Sequence, residues 1–356
     1  MDKYGVSLMT QVIKVLIVDD SAYVRSMLER ILIASPFIEV IGKARNGKEA
    51  MNMLEELTPD VVLLDLVMPE MDGITFIKEQ MRRKPLKIII VSIVSEGGKL
   101  AIEALGAGAI DFIQKPTALS TERITEIRDD LIQKIKITAL VDLKHLYKIF
   151  DDNREQKKIF EVTESKGNFD VIVIGISTGG PQALRYLIPQ FPSNFPVPIV
   201  VVLHMPEGYT QMYAASLNEL SAIQVNEAKQ GDPLLPGTVT IASAGFHLTF
   251  DKDACQRVVF HLDREPSDKL YRPSADILFQ SASELFKDRV LGIIMTGMGS
   301  DGKEGAAWVK SNGGVVLTES EETCVIYGMP RVVDETGLSD RSVNLDQMAR
   351  VIQGLI

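Results

Sequence analysis

The sequence predicts two α/β domains, each built on a doubly wound sheet that is mainly parallel. Three observations predict this fold class. Short apolar runs alternate with amphipathic stretches along nearly the whole chain, which is the pattern of βα units. Acidic or glycine-rich turns follow several of the apolar runs, at the positions where strands of such sheets end. A chain of 356 residues is also long enough for two or three domains.

The first domain is predicted over residues 12–137 as five βα repeats. Five apolar runs are expected to form its strands, at residues 14–18, 38–42, 61–65, 87–91 and 109–113. Amphipathic stretches predict its helices, among them residues 22–33, 47–57, 73–80 and 122–137. Five repeats within about 125 residues make one doubly wound domain.

Residues 138–168 are predicted to form a linker, because the strand pattern stops there. Within it, residues 144–158 mix charged side chains with a few apolar ones and indicate one helical stretch. The run Ser165-Lys166-Gly167-Asn168 that follows indicates flexible chain.

A second, mainly parallel domain is predicted over residues 169–356. Its strands are expected at residues 170–175, 198–203, 290–295 and 314–318. Between residues 232 and 262, the turn signals Pro236-Gly237 and Ala244-Gly245 separate three short runs. We expect these runs to form an antiparallel hairpin inserted into the parallel sheet.

The composition excludes several classes of function. The 48 acidic and 38 basic residues give a net charge of −10, which argues against nucleic-acid binding because that needs a basic face. Apolar runs are too short to insert into a membrane, and the first ten residues lack the apolar core of an export signal. The two cysteines, Cys255 and Cys324, lie outside any metal-binding motif, so we expect a cytoplasmic protein without disulfides or zinc.

The first domain places acidic residues at the ends of two predicted strands. Asp19 and Asp20 end the first strand, and Asp65 ends the third. Because parallel strands end at one edge of the sheet, the three carboxylates would lie together, repel one another and favour a hard cation such as Mg²⁺. Ser92 ends the fourth strand and Lys115 follows the fifth. A hydroxyl and an ammonium beside a metal suit phosphoryl transfer to a carboxylate oxygen.

Motifs around these residues resemble those of a two-component response-regulator receiver domain: Val18-Asp19-Asp20-Ser21, Leu64-Asp65-Leu66-Val67-Met68-Pro69, Met71-Asp72-Gly73, Val91-Ser92 and Lys115-Pro116. The resemblance covers residues 12–137. It implies a phosphoacceptor at Asp65 and a Mg²⁺ site formed by Asp19, Asp20, Asp65 and the backbone carbonyl of Val67. It also implies three residues that respond to phosphorylation: Ser92, Lys115 and the aromatic Phe112, which would change rotamer.

In the second domain, Ser177 is the candidate nucleophile. It lies in Gly175-Ile176-Ser177-Thr178-Gly179-Gly180-Pro181, where a strand, a glycine-rich turn and a helix started by proline place the serine at the positive end of a helix dipole. The G-x-S-x-G spacing is that of a nucleophile elbow. A phosphate cradle is the competing function, but both the G-x-G-x-x-G spacing and the P-loop lysine are missing.

A serine nucleophile needs a base, and the chain has four histidines. His145 lies in the linker, His247 lies inside a short strand, and His261 ends a hairpin strand. His204 directly follows the predicted strand 198–203, at the same sheet edge as the candidate serine. It is therefore the best candidate for the base.

The third candidate, Asp301, lies in Thr296-Gly297-Met298-Gly299-Ser300-Asp301-Gly302, which follows the predicted strand 290–295. A carboxylate there would hold the imidazole tautomer and stabilise its charged form. Three turns at one rim of a sheet predict a serine hydrolase. The chain order Ser177, His204, Asp301 differs from that of α/β-hydrolases, so that fold is not assigned.

Each of these residues also has a structural interpretation. Asp19-Asp20-Ser21 and Asp301 are suitable helix N-caps, Ser177 suits a tight turn, and a lone histidine after a strand is often structural. The recurrence of such residues at the ends of parallel strands favours the functional interpretation.

Motifs of the second domain resemble the chemotaxis protein-glutamate methylesterase domain: Ile174-Gly175-Ile176-Ser177-Thr178-Gly179-Gly180-Pro181, His204-Met205-Pro206-Glu207-Gly208, Gly231-Asp232-Pro233-Leu234-Leu235-Pro236-Gly237, Arg272-Pro273-Ser274-Ala275-Asp276, Thr296-Gly297-Met298-Gly299-Ser300-Asp301-Gly302 and Tyr327-Gly328-Met329-Pro330. The resemblance spans residues 169–356. It implies a nucleophile at Ser177, a base at His204 and an orienting carboxylate at Asp301. It also implies that Thr178 and Met298 line the site, where backbone N–H groups form the oxyanion hole.

Two residues depart from the pattern of that family. Ser243 stands where proline is common, and Tyr271 precedes Arg-Pro-Ser where histidine is common. Neither belongs to the three candidate catalytic residues, so the departures concern substrate docking.

Together the two resemblances imply a phosphorylation-activated serine hydrolase of chemotaxis adaptation. It would demethylate glutamate methyl esters on chemoreceptors, deamidate receptor glutamines, and need no metal for ester hydrolysis. The expected partners are methylated chemoreceptors and a chemotaxis histidine kinase. One alternative is a phosphorylation-controlled binding module without catalysis. Another, a DNA-binding regulator, is disfavoured because no helix-turn-helix pattern or basic surface is present.

Overall fold

The computed structural model describes residues 12–92, 94–115, 121–143, 169–267 and 269–356, without the side chains of residues 94–97 and 121–127. The chain divides into two compact units, Met1–Leu143 and Lys144–Ile356. Pro116, His145 and the predicted linker from residue 144 onward lie outside the described residues.

The first unit alternates strands and helices, as its apolar runs predict. The strands are β1 (Ile13–Val18), β2 (Ile38–Ala44), β3 (Val61–Leu64), β4 (Ile88–Ser92) and β5 (Asp111–Gln114). The helices are α1 (Ala22–Ile33), α2 (Gly47–Met53), α3 (Gly73–Arg83), α4 (Val94–Gly106) and α5 (Thr121–Leu140). All strand pairs are parallel, in the order β2-β1-β3-β4-β5, so the doubly wound prediction is confirmed.

Strands β3 and β4 of this sheet are buried along their whole length, which explains why their sequences are apolar except for the final Ser92 of β4. Polar side chains begin three of the helices: Ser21, Asn46 and Asp72 each accept a backbone N–H of the following turn. Helix α2 ends four residues earlier than predicted, and α5 continues three residues past the predicted domain boundary at 137.

The second unit contains a larger sheet and a separate hairpin. Its strands are β6 (Val171–Ile176), β7 (Ile199–Leu203), β8 (Gln224–Glu227), β9 (Thr238–Ile241), β10 (His247–Lys252), β11 (Val258–Asp263), β12 (Val290–Ile294), β13 (Val315–Glu319) and β14 (Arg341–Val343). Its α-helices are α6 (Gly180–Leu187), α7 (Thr210–Leu220), α8 (Ala275–Phe286), α9 (Lys303–Ser311), α10 (Met329–Glu335) and α11 (Leu345–Leu355).

The seven-stranded sheet has the order β14-β13-β12-β6-β7-β9-β8, and every pair in it is parallel. The predicted mainly parallel sheet and the predicted antiparallel hairpin are both confirmed, but the hairpin is separate from the sheet and not inserted into it. The first of the three short runs, β9, joins the parallel sheet, and only β10 and β11 form the antiparallel hairpin. Strands β8 and β14 were not predicted, because one is largely polar and the other has three residues.

The hairpin packs on α8. The Phe250 N–H donates to the Ser281 hydroxyl at 2.9 Å, and the Phe250 ring meets the Phe286 ring edge-on with centroids 5.5 Å apart. These contacts fix α8 beside the sheet, and the start of α8 reaches the candidate site.

The chain winds outward from the centre of each sheet in both directions. In the first unit the winding direction changes between β1 and β3, and in the second between β6 and β12. Ligand sites of open α/β sheets lie beyond the carboxyl ends of the strands at such points. None of the helices in the described ranges combines the length and apolar character needed to cross a membrane.

Candidate functional site

Ser177 lies in the turn between β6 and α6. Its N–H donates to the Thr296 carbonyl at 2.9 Å, and its own carbonyl accepts the Gly180 N–H at 2.6 Å. Gly179 has a φ of 78°, and a Cβ on it would lie 2.4 Å from the Cβ of Val325. Only glycine fits this position, so the glycine-rich turn has a steric cause. The turn leaves Ser177 partly exposed at the edge of the sheet.

His204 follows the strand next to the one that carries Ser177. Its N–H donates to the Ile176 carbonyl at 3.1 Å, so the histidine and the serine follow paired strand ends. The imidazole Nε2 lies 2.8 Å from Oδ2 of Asp301, and the buried Nδ1 has no hydrogen-bond partner among the described residues. An ionised carboxylate only accepts, so Nε2 carries the proton and Nδ1 is left as an acceptor.

Asp301 is bound by the start of α8. Its Oδ1 accepts the Ser274 hydroxyl at 2.7 Å and the Asp276 N–H at 3.1 Å, and its Oδ2 accepts the Ala275 N–H at 2.7 Å. Burial alone would raise the pKa of Asp301. The hydrogen bonds from His204, Ser274 and Ala275 outweigh burial and hold that pKa well below its usual value. Asp301 is therefore ionised at neutral pH.

Asp276 makes the reverse contact. Its Oδ1 accepts the N–H groups of Gly302 and Gly305, both at 2.8 Å, at the start of α9. Asp301 just precedes α9, so each helix start is bound by a carboxylate from the other, and we call this pair the crossed caps. Burial raises the pKa of Asp276 to about 6, and the Asp301 charge contributes. Asp301 therefore caps α8; the N-cap of α9 is Gly302.

Glu319 lies fully buried beneath the serine turn. Its Oε2 accepts the Thr296 N–H at 2.9 Å, and its Oε1 accepts the Thr323 hydroxyl at 3.2 Å. The Thr296 hydroxyl in turn donates to the Thr178 carbonyl at 3.0 Å, and the Thr296 carbonyl holds the Ser177 N–H. Burial raises the pKa of Glu319 to about 7. A titratable carboxyl thus supports the turn that carries the candidate nucleophile.

Thr178 and Met298, the predicted lining residues, lie on the two turns that meet at Ser177. Thr178 is buried and Met298 is partly exposed. A Cβ on Gly297 would lie 2.7 Å from the Ser177 Cβ, and one on Gly328 would lie 3.3 Å from the Met298 Cα. Gly297 lets the turn after β12 pass close to the serine, and Gly328 lets its own segment pass close to that turn. A role of this backbone in an oxyanion hole stays a prediction.

The other described histidines lie outside this arrangement. His247 is buried and its Nε2 contacts the Pro266 carbonyl at 3.1 Å, while burial lowers its pKa. His261 is partly exposed, and its Nδ1 contacts the Gln230 amide at 3.1 Å. The structure thus brings His204 to the candidate aspartate, as its place after a strand predicts.

The first unit gathers its predicted acidic residues at the edge of the sheet. Asp19 and Asp65 are buried and Asp20 is exposed, and ligand oxygens of the three lie within 4.8 Å of one another. The Lys115 ammonium lies 2.8 Å from Asp19 and 2.7 Å from Asp65. Arg25 donates to the backbone carbonyls of Asp19 at 2.6 Å and Asp20 at 3.0 Å, which fixes the end of β1.

The electrostatics of this pocket are those of a site that can take a cation. Burial raises the pKa of Asp65, although the hydrogen bond and charge of Lys115 oppose it. Burial opposes the ammonium of Lys115, but hydrogen bonds and charges from Asp19 and Asp65 outweigh it and raise its pKa. Three converging oxygen ligands suit Mg²⁺, so the residues present fit the implied ion.

The remaining predicted residues of the first unit lie around this pocket. Ser92 and Phe112 are buried, and the Val67 side chain is half-exposed. The Lys115 N–H donates to the Ser92 carbonyl at 2.7 Å, which joins the ends of β4 and β5. The roles of these residues in sensing a phosphoryl group stay predictions.

Several contact residues escaped prediction. Ser274 and Asp276 entered only as letters of a motif, although a serine before an amphipathic stretch is a helix-start signal. Glu319 follows an apolar run, and no motif in the sequence distinguishes it from an ordinary strand end. The Tyr271 ring stacks on the His204 imidazole, a contact that no local sequence pattern predicts.

A doubly wound unit with an acidic pocket precedes an α/β unit with a hydrolase-type site at its switch point. Residues 15–127 match the family model described as response regulator receiver domain, and residues 172–352 match the one described as CheB methylesterase. The chain belongs to the CheB methylesterase family, a family of hydrolases, and carries a receiver domain.

Relatives of nearly equal length share this organisation. A protein-glutamate methylesterase/protein-glutamine glutaminase of Halalkalibacterium halodurans is 41% identical, over 95% of this chain and 96% of its own. One of Thermotoga maritima is 40% identical, over 93% of this chain and 94% of its own. The crystal structure of the Thermotoga maritima CheB methylesterase catalytic domain is similar to 53% of this chain and 99% of its own, with a TM-score of 0.51 and 41% identity.

Proposed function

We propose that this protein is a phosphorylation-activated serine hydrolase that demethylates glutamate methyl esters on chemoreceptors and deamidates receptor glutamines. The observation that carries the proposal is the state of the His204 ring. Its Nε2 lies 2.8 Å from Asp301, and its buried Nδ1 has no hydrogen-bond partner among the described residues. His204 follows the strand that pairs with the one preceding Ser177. The names of the full-length relatives support the substrate class.

In the proposed mechanism, the Ser177 Oγ attacks the carbonyl carbon of the methyl ester while Nδ1 of His204 takes its proton. Asp301 stabilises the imidazolium that forms. Backbone N–H groups near Thr178 and Met298 bind the oxyanion, where one donor is worth about 10²–10³ in kcat. Methanol leaves with the proton from His204, and an acyl-enzyme remains.

Water completes the reaction. His204 takes a proton from the water that attacks the acyl carbon, and the glutamate carboxylate and the Ser177 hydroxyl are released. With a glutamine substrate the leaving group is ammonia and the other steps are the same. Ester hydrolysis in this scheme uses the chain's own residues and needs no metal.

The first unit is proposed to control this reaction. Asp65 would accept the phosphoryl group from a chemotaxis histidine kinase, and Asp19, Asp20, Asp65 and the Val67 carbonyl would hold Mg²⁺. The ion supplies positive charge to the phosphoryl oxygens. Lys115, which now pairs with Asp19 and Asp65, would pair with the added phosphoryl group. Ser92 and Phe112 are proposed to respond to this change.

The partners and compartment follow from the same proposal. The substrates would be methylated chemoreceptors, reached without insertion into the membrane and without nucleic acid. Cys255 and Cys324 are both free thiols, which agrees with action in the reducing cytoplasm.

The deciding experiment measures methanol release from methylated receptor membranes with acetyl phosphate and Mg²⁺ present. Ser177→Ala should abolish methanol release and leave phosphorylation of Asp65 intact. Ser311→Ala, on the exposed end of α9, should behave as wild type. Substantial methanol release by Ser177→Ala would refute Ser177 as the nucleophile.

A second variant tests control by the first unit. Asp65→Ala should keep the basal rate of methanol release and lose the stimulation by acetyl phosphate, since the acceptor oxygen is gone. Stimulation that survives in this variant would show that Asp65 is not the phosphoacceptor.

A further inference from the structure

The imidazole of His204 has an aromatic ring on one face. The rings of His204 and Tyr271 have centroids 4.1 Å apart and planes within 11° of parallel. Tyr271 is partly buried and lies between β11 and α8. The contact joins this segment directly to the candidate base.

A base in this position needs its plane fixed. The hydrogen bond from Nε2 to Asp301, at 2.8 Å, holds one point on the edge of the imidazole. A ring held at one edge can pivot about that bond, and such pivoting changes the direction in which Nδ1 presents its lone pair. A second ring against the face stops this pivoting, because tilting breaks the parallel contact.

The segment that carries Tyr271 is itself held on both sides. The Arg272 carbonyl accepts the Gly245 N–H at 3.1 Å, and two and three residues further along, Ser274 and Ala275 donate to Asp301. One short stretch therefore touches the face of the imidazole and also binds the carboxylate that holds its edge.

The phenol end of Tyr271 points toward the turn after β12. A Cβ on Gly299 would lie 3.8 Å from the Tyr271 hydroxyl oxygen, and Gly299 has a φ of 86°. The tyrosine thus spans from the imidazole to the turn that carries Met298, and it forms part of the wall of the candidate site.

We infer that Tyr271 is a positioning residue of the hydrolase reaction. Its ring holds the His204 imidazole in the plane that directs Nδ1 at Ser177, and its π face favours the imidazolium that forms when the serine proton is taken. The inference rests on the proposed function, since it assigns the base role to His204.

The test uses the full-length chain, with acetyl phosphate and Mg²⁺ present, and a fluorophosphonate probe that reacts with an activated serine. Tyr271→Leu keeps an apolar side chain but removes the ring, and should lower the maximal labelling rate at Ser177 about tenfold, without weakening probe binding. Tyr271→Phe keeps the ring and should stay within about twofold of wild type. Leu270→Ala, at a highly exposed neighbour, is the matched control and should label as wild type.

A spectroscopic measurement separates positioning from stability. In ¹⁵N-histidine spectra of the wild type and Tyr271→Phe, His204 should give one tautomer with the proton on Nε2. Tyr271→Leu should give a mixed or broadened signal at His204 and leave the signals of His247 and His261 unchanged.

The outcomes separate the proposed function of the site from the positioning role of Tyr271. Failure of the wild type to label at Ser177 overturns the proposed function and the inference with it. Wild-type labelling by Tyr271→Leu overturns the positioning role alone. A fall in Tyr271→Phe as large as in Tyr271→Leu also overturns it, because the hydroxyl would then be the important group.

Discussion

The two sites of this protein neutralise a buried carboxylate in different ways. In the first unit, Asp19 and Asp65 share the ammonium of Lys115, at 2.8 and 2.7 Å. In the second unit, Asp301 is held by one imidazole, one hydroxyl and two backbone N–H groups. Asp19 and Asp65 thus face a charge on a flexible side chain, whereas Asp301 faces dipoles that are fixed in the fold.

Under the proposed function, this difference suits each pocket to its role. An ammonium on a four-carbon side chain can leave one carboxylate and follow an added phosphoryl group, so the first pocket is able to switch. The start of α8 cannot follow anything without moving the helix, so the second pocket keeps its geometry through a reaction.

Asp301→Asn should lower kcat for methanol release about 10³–10⁴-fold, because the amide can donate to Nε2 and leave the proton on Nδ1, where no proton can then be accepted. Phosphorylation of Asp65 should be unchanged. Asp251→Asn, on the exposed end of β10, is the control and should be as active as wild type. A fall of less than tenfold in Asp301→Asn would show that the carboxylate does not set the tautomer.

Lys115→Ala should lower the free energy of unfolding of the first unit by about 3–5 kcal/mol at pH 8 in the absence of divalent ions, because two buried carboxylates lose their counter-charge. Mg²⁺ should restore part of the loss. Urea denaturation, monitored through hydrogen exchange of the β1 and β3 amides, measures the free energy of unfolding of this unit selectively.

Lys78→Ala is the matched control for that prediction. Lys78 pairs with Glu103 at 2.8 Å, but both side chains are about half-exposed, so its loss should change the free energy of unfolding by about 0–1 kcal/mol. Equal losses in the two lysine variants, or no response of Lys115→Ala to Mg²⁺, would contradict the difference between the sites.

Glu319→Gln should remove a pH dependence from the stability of the second unit. The folded pKa of Glu319 is about 7 and its ordinary value is 4.5, so between these values the native state holds a proton that the unfolded state releases. Stability is therefore lost as pH rises through this window, by roughly 3 kcal/mol in total. In the glutamine, the amide oxygen can accept the Thr296 N–H and the NH₂ group can donate to the Thr323 hydroxyl oxygen, which reverses that hydrogen bond and leaves no charge.

The variant should match wild type near pH 5 and exceed it in free energy of unfolding by up to about 3 kcal/mol at pH 8. The single tryptophan, Trp308, lies in the second unit, so its fluorescence reports denaturation of this unit. Glu321→Gln, at an exposed position, should show no such trend. A constant difference between Glu319→Gln and wild type from pH 5 to 8 would rule out titration of Glu319.

The sequence was sufficient to predict the sheets and to place the candidate residues at their edges. Parallel strands end together, so Ser177, His204 and Asp301 could be assigned to one rim from their positions after apolar runs. Strands β8 and β14 could not be predicted, because short polar edge strands are defined by their neighbours and not by their own pattern.

The contacts that support these candidate residues could not be predicted from the sequence, for a different reason. Ser274 and Asp301 are 27 residues apart, and the Tyr271 ring meets His204 across a still longer span. Such pairs depend on how helices pack on the sheet. The burial of Glu319 likewise depends on the segment that follows it, which covers a side chain that its charge would place in solvent.

The crossed caps also affect how the second unit opens locally. Asp301 closes the start of α8 and Asp276 closes the start of α9, so neither helix can fray at its first turn without releasing a carboxylate from the other. The amide hydrogens of Ala275, Gly302 and Gly305 should consequently exchange with solvent through one shared opening event, at a common rate. The two helix starts should therefore open and close as one unit, and this unit includes Asp301, the carboxylate that binds His204.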